Sequence, residues 1–138
     1  MEKILLFENQ SKPEAIKWAE FASQLLKEKG FECFCGFELY EHFSDTTKKF
    51  VTPIPVSDYV RIPDIVMTFG GDGTILSAVR YVCKNEIPIM GINVGKLGFL
   101  AEYPNNKIKE AIEALSNGDY RVVDRLMLTT TYNGDEIY

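Results

Sequence analysis

The chain has 138 residues, of which 46% are hydrophobic and 25% are charged. This length and composition suit one domain that can bury a substantial core. The formal net charge is −5, which argues against a nucleic-acid partner because binding to a phosphate backbone needs a basic surface. No apolar run approaches the ~20 residues that span a bilayer, and the start has no signal-peptide pattern. We therefore expect a cytoplasmic protein without membrane contact.

The first elements in chain order are a strand, a helix and a second strand. Residues 3–7 form a compact apolar strand, and the apolar face from Ile16 to Leu26 predicts a helix that ends at Gly30. Residues 31–37 then return as a strand. On it, Cys33 and Cys35 share one face, as small buried hydrophobic residues would.

The same alternation continues after a Pro-rich stretch at 50–63, which is predicted to be a loop. The later elements are a strand at 65–69, a helix at 74–83, a strand at 89–92 and a helix at 108–115 that ends at Gly118. Alternating strands and helices imply an α/β fold, with an open, mostly parallel sheet, helices on both faces and right-handed crossovers.

Aromatic and metal-binding residue types give no separate site. The aromatic side chains follow helix and strand periods, which favours packing in a core or a dimer interface over a binding patch: Trp18, Phe21, Phe31, Phe34 and Phe37. Three cysteines, an odd number, suit a reducing compartment, and the single histidine cannot complete a zinc site. We therefore expect no metal bound by the protein alone.

The most informative segment is a glycine-rich turn between the predicted strand at 65–69 and the following helix. Gly70, Gly71 and Gly73 lack Cβ atoms, so they can adopt positive φ and let a ligand approach the backbone. The N–H groups that begin the helix carry partial positive charge toward such a ligand. This turn predicts a phosphate site, in which Thr74 either caps the helix or contacts the phosphate.

Asp72 lies inside this turn and has two interpretations. A carboxylate in a phosphate cradle repels the anion unless it faces another group, such as a hydroxyl or a metal ion. The alternative is that Asp72 only N-caps a helix beginning near Thr74. The glycine spacing matches neither the Walker pattern nor the dinucleotide fingerprint.

A second glycine-rich loop follows the strand at 89–92 and contains Asn93, Gly95 and Gly98. In an open α/β sheet, both loops emerge at the carboxyl edge, where ligands bind. The two motifs, Gly-Gly-Asp-Gly-Thr at 70–74 and Gly-Ile-Asn-Val-Gly-Lys-Leu-Gly-Phe-Leu at 91–100, closely resemble those of the NAD kinases. Diacylglycerol kinases, sphingosine kinases and 6-phosphofructokinases carry turns similar to the first motif. The second motif is therefore the one that distinguishes the NAD kinases from these enzymes.

The resemblance implies transfer of a phosphoryl group from ATP, with Mg²⁺, to the 2′-hydroxyl of the adenosine ribose of NAD. It implies that Asp72 faces the acceptor ribose as general base, that Asn93 and Gly95 shape the second loop, and that Phe99 and Leu100 line the nucleotide site. Phe99 could instead pack under its own turn. The other classes that remain open are the nucleotide domain of a lipid kinase and a non-catalytic nucleotide-binding module.

Ser77 stands where the resemblance leads us to expect a basic residue. Lys96 or Arg80 could supply that phosphate contact instead, the alternative being that both are simply solvated. The resemblance also divides the chain. Residues 1–120 are expected to form a Rossmann-like or phosphofructokinase-like nucleotide domain, and 121–138 the first strands of a β-rich NAD-binding domain, with a hairpin turn at 133–134. We expect a fragment that is inactive alone, from an enzyme that is a homodimer or homotetramer at full length.

Overall fold

The computed structural model describes residues 2–9, 12–95, 103–119, 130–132 and 135–137. Among these residues, no helix is long and apolar enough to cross a membrane. The elements in chain order are β1 (Lys3–Phe7), α1 (Pro13–Glu28), β2 (Glu32–Cys35), α2 (Phe37–His42), α3 (Asp45–Lys48), β3 (Val51–Pro53), β4 (Ile65–Gly70), α4 (Asp72–Val82), β5 (Ile89–Asn93), β6 (Tyr103–Pro104), α5 (Ile108–Asn117), β7 (Thr130–Tyr132) and β8 (Asp135–Ile137). Short 3₁₀ helices lie at Val56–Asp58, Cys83–Asn85 and Asn105–Lys107.

Six of the strands form one parallel sheet in the order β3-β2-β1-β4-β5-β6. The chain therefore builds one half of the sheet outward from β1, and then returns to build the other half outward from β4. In this arrangement the carboxyl ends of β1 and β4 border the crevice at which open α/β sheets bind ligands. The predicted α/β class with an open parallel sheet is confirmed.

Buried side chains alternate between the two faces of the sheet, as expected for strands covered on both sides. On β1, Ile4 and Leu6 join the larger cluster, which includes residues of α1 and α5. Leu5 and Phe7 join a smaller cluster on the opposite face, with residues of α4. Helices therefore cover both faces, as the alternating pattern predicted.

The predicted loop at 50–63 is wrong, because this stretch contains the edge strand β3 and a 3₁₀ helix. Pro53 is compatible with β3 because an edge strand has a free side on which no N–H donor is needed. The strand predicted at 31–37 is also too long: β2 ends at Cys35 and α2 begins at Phe37. These elements are three to six residues long, too short for a reliable periodic signal.

The aromatic packing prediction holds for four of its five residues. Phe34 is buried, and Trp18, Phe21 and Phe31 are half-buried against the larger cluster. Phe37 is 56% exposed. It begins α2 instead of continuing β2, so the strand alternation from which its burial was predicted does not reach it.

Cys33 and Cys35 are free and buried on the face of the larger cluster. Burial raises the pKa of each thiol to about 12. The charge of Glu32 adds to this effect on Cys33, and Cys33 adds to it on Cys35. Both thiols therefore stay protonated in the folded protein well above the pH at which an exposed thiol ionises.

We expect the free energy of unfolding to fall as pH rises from about 9 toward about 12. In this window the unfolded chain loses the thiol protons that the folded chain keeps, so alkali favours unfolding by about 1.4 kcal/mol per pH unit for each thiol. Chemical denaturation at a series of pH values measures the slope. Cys35→Ala should make it shallower, and an unchanged slope in that variant would contradict the assignment.

The C-terminal hairpin prediction is confirmed in the part that the structure describes. Thr130–Tyr132 pairs antiparallel with Asp135–Ile137, with Tyr132 opposite Asp135. The return strand begins at Asp135, directly after the predicted turn at 133–134. The division of the chain near residue 120 stays a prediction.

Candidate functional site

The glycine-rich turn connects β4 directly to α4. Gly70 ends β4 with a φ of +156°, and a Cβ at this position would lie 2.2 Å from the Thr74 side-chain oxygen. Of the three glycines of the turn, Gly70 alone has a positive φ; Gly73 lies within α4. A Cβ at Gly71 or Gly73 would meet no neighbouring atom within 4 Å. Gly70 is therefore required by the fold, whereas the other two glycines leave open space beside the backbone.

Asp72 is the first residue of α4, so the helix begins two residues earlier than predicted. An N-cap residue immediately precedes the first helical residue, and Gly71 takes that position. Its carbonyl accepts from the N–H groups of Thr74 and Ile75 at 3.1 and 3.3 Å. The half-buried Asp72 carboxylate thus lies in the first helical turn, and its catalytic role stays a prediction.

The second loop is joined to the first through Gly70. Asn93, the last residue of β5, is paired in register with Gly70, and the Val94 N–H donates to the Gly70 carbonyl at 3.0 Å. The loop then continues through Gly95, whose φ is +103°. The two predicted loops therefore lie side by side at the carboxyl edge of the sheet.

Asn93 carries a polar atom suited to a ligand. Its side chain is 3% exposed, and its amide nitrogen donates to the Gly95 carbonyl at 3.4 Å. Its Oδ1 atom is buried and has no hydrogen-bond partner among the described residues. An unsatisfied buried acceptor costs about 1–3 kcal/mol, so a ligand donor at this atom would be stabilising.

Sequence reasoning missed Asn9, which connects β1 to α4. The Thr74 hydroxyl donates to Asn9 Oδ1 at 3.2 Å, and Asn9 Nδ2 donates to the Ser77 hydroxyl at 2.9 Å. These contacts span 65 and 68 residues of sequence. Asn9 thereby holds the Thr74 and Ser77 side chains of α4 at the border between β1 and β4. Its position two residues after a predicted strand was the available signal.

Four of the residues singled out in the sequence lie outside the described residues: Lys96, Gly98, Phe99 and Leu100. Ser77 is half-buried and bonded to Asn9, whereas Arg80 is exposed on α4. The structure therefore brings together Gly70, Gly71, Asp72, Thr74, Ser77, Asn93 and Gly95 at one edge of the sheet.

The side chains available as ligands indicate how a metal ion would be held. In the described part of the chain, no group of three His, Cys, Asp or Glu side chains could hold a metal ion. Magnesium in phosphoryl-transfer sites is held by one or two carboxylates together with substrate phosphates. Asp72, in the first turn of α4 beside the glycine backbone, fits this mode, in which the cation arrives with its nucleotide.

We expect Gly70→Ala to lower the free energy of unfolding far more than Gly71→Ala does. Gly70→Ala forces a Cβ onto Thr74 at a backbone geometry that side chains rarely adopt, so it should cost about 1–3 kcal/mol. Gly71→Ala enters open space and should change stability by less than about 0.5 kcal/mol. Denaturant titrations of both variants provide the comparison, and equal losses would contradict it.

A family model described as the ATP-NAD kinase N-terminal domain matches residues 4–120. The chain belongs to the NAD kinase family. The NAD kinase of Thermococcus kodakarensis is 36% identical over 126 residues, which cover 91% of this chain and 44% of that protein. The Geobacter sulfurreducens NAD kinase is 32% identical over 139 residues, covering 99% of this chain and 47% of that protein.

Comparison with a solved structure shows the same fold. Yeast NADH kinase complexed with NADH superimposes with a TM-score of 0.73 at 19% identity, over 85% of this chain and 38% of that one. The chain spans less than half the length of the curated NAD kinases that it matches. The family and the fold of this chain are therefore shown, and the NAD kinase resemblance seen in its two glycine-rich motifs is confirmed.

Proposed function

We propose that this chain is the nucleotide-binding catalytic domain of an NAD kinase, which transfers the γ-phosphoryl group of ATP to the 2′-hydroxyl of the adenosine ribose of NAD. The observation that carries the proposal is the junction at Gly70. There the glycine-rich turn and the Asn93 loop meet, with the Asp72 carboxylate two residues along the chain. In the proposal this junction brings together the phosphate site, the acceptor site and a candidate base.

In this proposal the backbone around Gly71 and Gly73 and the N–H groups that begin α4 hold phosphate, since this helix end carries partial positive charge. Bound Mg²⁺ would neutralise charge on the donor phosphates. The protein's own contribution is mainly positioning. Because Asp72 stands in the first turn of α4, its carboxylate is held beside the phosphates and can orient the acceptor hydroxyl.

Asp72 serves in this proposal as both orienting group and general base. A carboxylate has a reference pKa near ~4, far below that of an alcohol, so proton transfer to it occurs late in the reaction. Orientation of the hydroxyl is therefore its larger contribution. Asn93 Oδ1, the buried acceptor without a partner among the described residues, would receive a hydrogen bond from the nucleotide.

The remaining parts of the proposal concern the whole protein. We infer that NAD contacts also come from Phe99 and Leu100, and that residues 121–138 begin a second, β-rich domain. The free, buried Cys33 and Cys35 are in keeping with a reducing compartment, the cytoplasm. Assembly as a homodimer or homotetramer belongs to the same proposal.

The test is an assay of the complete protein with ATP, Mg²⁺ and NAD, in which NADP is detected with an NADP-specific dehydrogenase. We expect NADP formation that requires both ATP and NAD. Parallel assays with diacylglycerol and with sphingosine as acceptors test the lipid-kinase alternative. Phosphorylation of a lipid without NADP would overturn the proposal, and nucleotide binding without either product would favour a non-catalytic module.

Phe99→Ala tests the role inferred for the second loop. If Phe99 lines the nucleotide site, the variant should bind NAD more weakly with little change in melting temperature. Truncation of a buried phenylalanine would instead cost about 3–5 kcal/mol of stability. NAD titration and a thermal melt of the complete protein separate the two roles, because a large fall in melting temperature with unchanged affinity excludes the pocket role.

A further inference from the structure

A cavity of about 320 Å³ lies at the carboxyl ends of β1, β2 and β3. Asn9, Gly36 and Ile54, which follow these three strands, line it. In the strand order, β2 and β3 lie on one side of β1, whereas β4 with its glycine-rich turn lies on the other. The cavity therefore lies beside the junction at Gly70, and neither the glycine-rich turn nor Asn93 lines it.

Aromatic rings form one wall of the cavity. Phe7, Tyr59 and Tyr81 all line it, with ring centroids 6.3 Å apart for Phe7 and Tyr59 and 5.6 Å apart for Tyr59 and Tyr81. Two further lining side chains, Phe37 and Val56, are 56% and 53% exposed. Aromatic walls with accessible apolar side chains favour a flat ring, which can stack or pack edge to face against them.

The polar lining favours a sugar and disfavours phosphate. Glu8 and Glu38 also line the cavity, and carboxylates repel phosphate but accept hydrogen bonds from hydroxyl groups. Glu38 follows the end of β2 by three residues. In dinucleotide-binding sheets with this strand order, an acidic residue about 20 residues beyond the first phosphate turn accepts from a ribose hydroxyl, which illustrates how a carboxylate at this edge of a sheet can hold a sugar.

Asn9 connects the cavity to the phosphate site. It lines the cavity and is also bonded to Thr74 and Ser77 of α4. We propose that the cavity binds the base and ribose of the phosphoryl-donor nucleotide, whose phosphates cross Asn9 to reach the glycine-rich turn. This inference rests on the proposed function in assigning the donor to that turn. The volume is near the lower end for ligand pockets, which suits one nucleoside better than a dinucleotide.

Val56→Trp tests the proposal by placing a large side chain at the exposed rim of the cavity. Leu76→Trp is the matched control, because Leu76 is 54% exposed on α4 and does not line the cavity. Calorimetric titrations of the complete protein use the non-hydrolysable analogue AMP-PCP with Mg²⁺, and separately NAD. We expect Val56→Trp to weaken AMP-PCP binding at least about tenfold, the scale of one lost base contact, with NAD affinity and melting temperature within about twofold and two degrees of wild type.

The results of these titrations can be told apart from a failure of the proposed reaction in the activity assay. Loss of NAD affinity with unchanged AMP-PCP affinity would assign the cavity to the dinucleotide and overturn the proposal. Equal AMP-PCP affinity in both variants and wild type would also overturn it, as would the absence of AMP-PCP binding to a wild-type protein that makes NADP. If the protein makes no NADP but Val56→Trp selectively weakens AMP-PCP binding, the cavity assignment stands and the proposed reaction fails.

Discussion

Asp72→Asn should lower kcat of the complete protein at least about a hundredfold, because the acceptor hydroxyl loses its orienting group and base. Stability should change little, since Asp72 is half-buried in the first turn of α4 and lies outside both hydrophobic clusters. Steady-state kinetics with varied NAD and a thermal melt measure the two effects. The KM for NAD should change far less than kcat.

Asp45→Asn is the matched control for this variant. Asp45 also lies in the first turn of a helix, α3, where it is exposed and outside the glycine-rich turn. It therefore reproduces the loss of a negative charge at a helix start without touching the site, and its kcat should stay near that of wild type. Near-normal turnover of a folded Asp72→Asn protein would contradict the catalytic role.

The 138-residue chain assayed by itself should form no measurable NADP, although it should fold as an α/β domain. The curated relatives are more than twice as long as the part that this chain matches. We infer that the acceptor is held in line only when the rest of the enzyme is present, and positioning can account for about 7–11 kcal/mol of a barrier. Losing half of this contribution would lower the rate by about 400-fold to 10,000-fold.

The comparison requires the isolated chain and the complete protein in the same NADP assay. Circular dichroism and AMP-PCP titration show whether the isolated chain is folded and still binds nucleotide. Light scattering should show self-association, which we predict from the strand edge that the hairpin at 130–137 presents. Robust turnover by the isolated chain would refute the two-domain requirement, and a monodisperse monomer would refute the predicted self-association.

The sequence predicted the central fold and the glycine-rich loops because their signals are local. Residues 65–70 are an apolar run, and the glycines after it mark a tight turn before an amphipathic helix, so β4, the turn and α4 could be identified within 20 residues. The helix start was misjudged by two positions, since Asp72 and Gly73 have weak intrinsic helix preference. In the structure the Gly71 carbonyl accepts from the N–H groups of Thr74 and Ile75, so the first helical turn already includes Asp72.

The features missed in the sequence depend on contacts between distant residues. The edge strand β3 has three residues, and its conformation is set by pairing with β2, so no internal pattern could reveal it. Asn9 is a single polar residue outside any motif, and its role comes from partners on α4 more than 60 positions away. The exposed Phe37 was assigned to packing in a core or a dimer interface because the helix that begins there was not predicted.

The central place of β1 has a consequence for synthesis on the ribosome. Ile4 pairs with Cys33 on one side and with Ile65 on the other. One edge of this strand therefore stays unpaired until residues about 60 positions later in the chain are translated. Until β4 emerges, the nascent chain presents an unpaired apolar strand, the kind of edge that recruits chaperones or other chains. Slow translation before β4 has left the exit tunnel would prolong that exposure, whereas a pause after β4 has emerged would find β1 already paired on both sides.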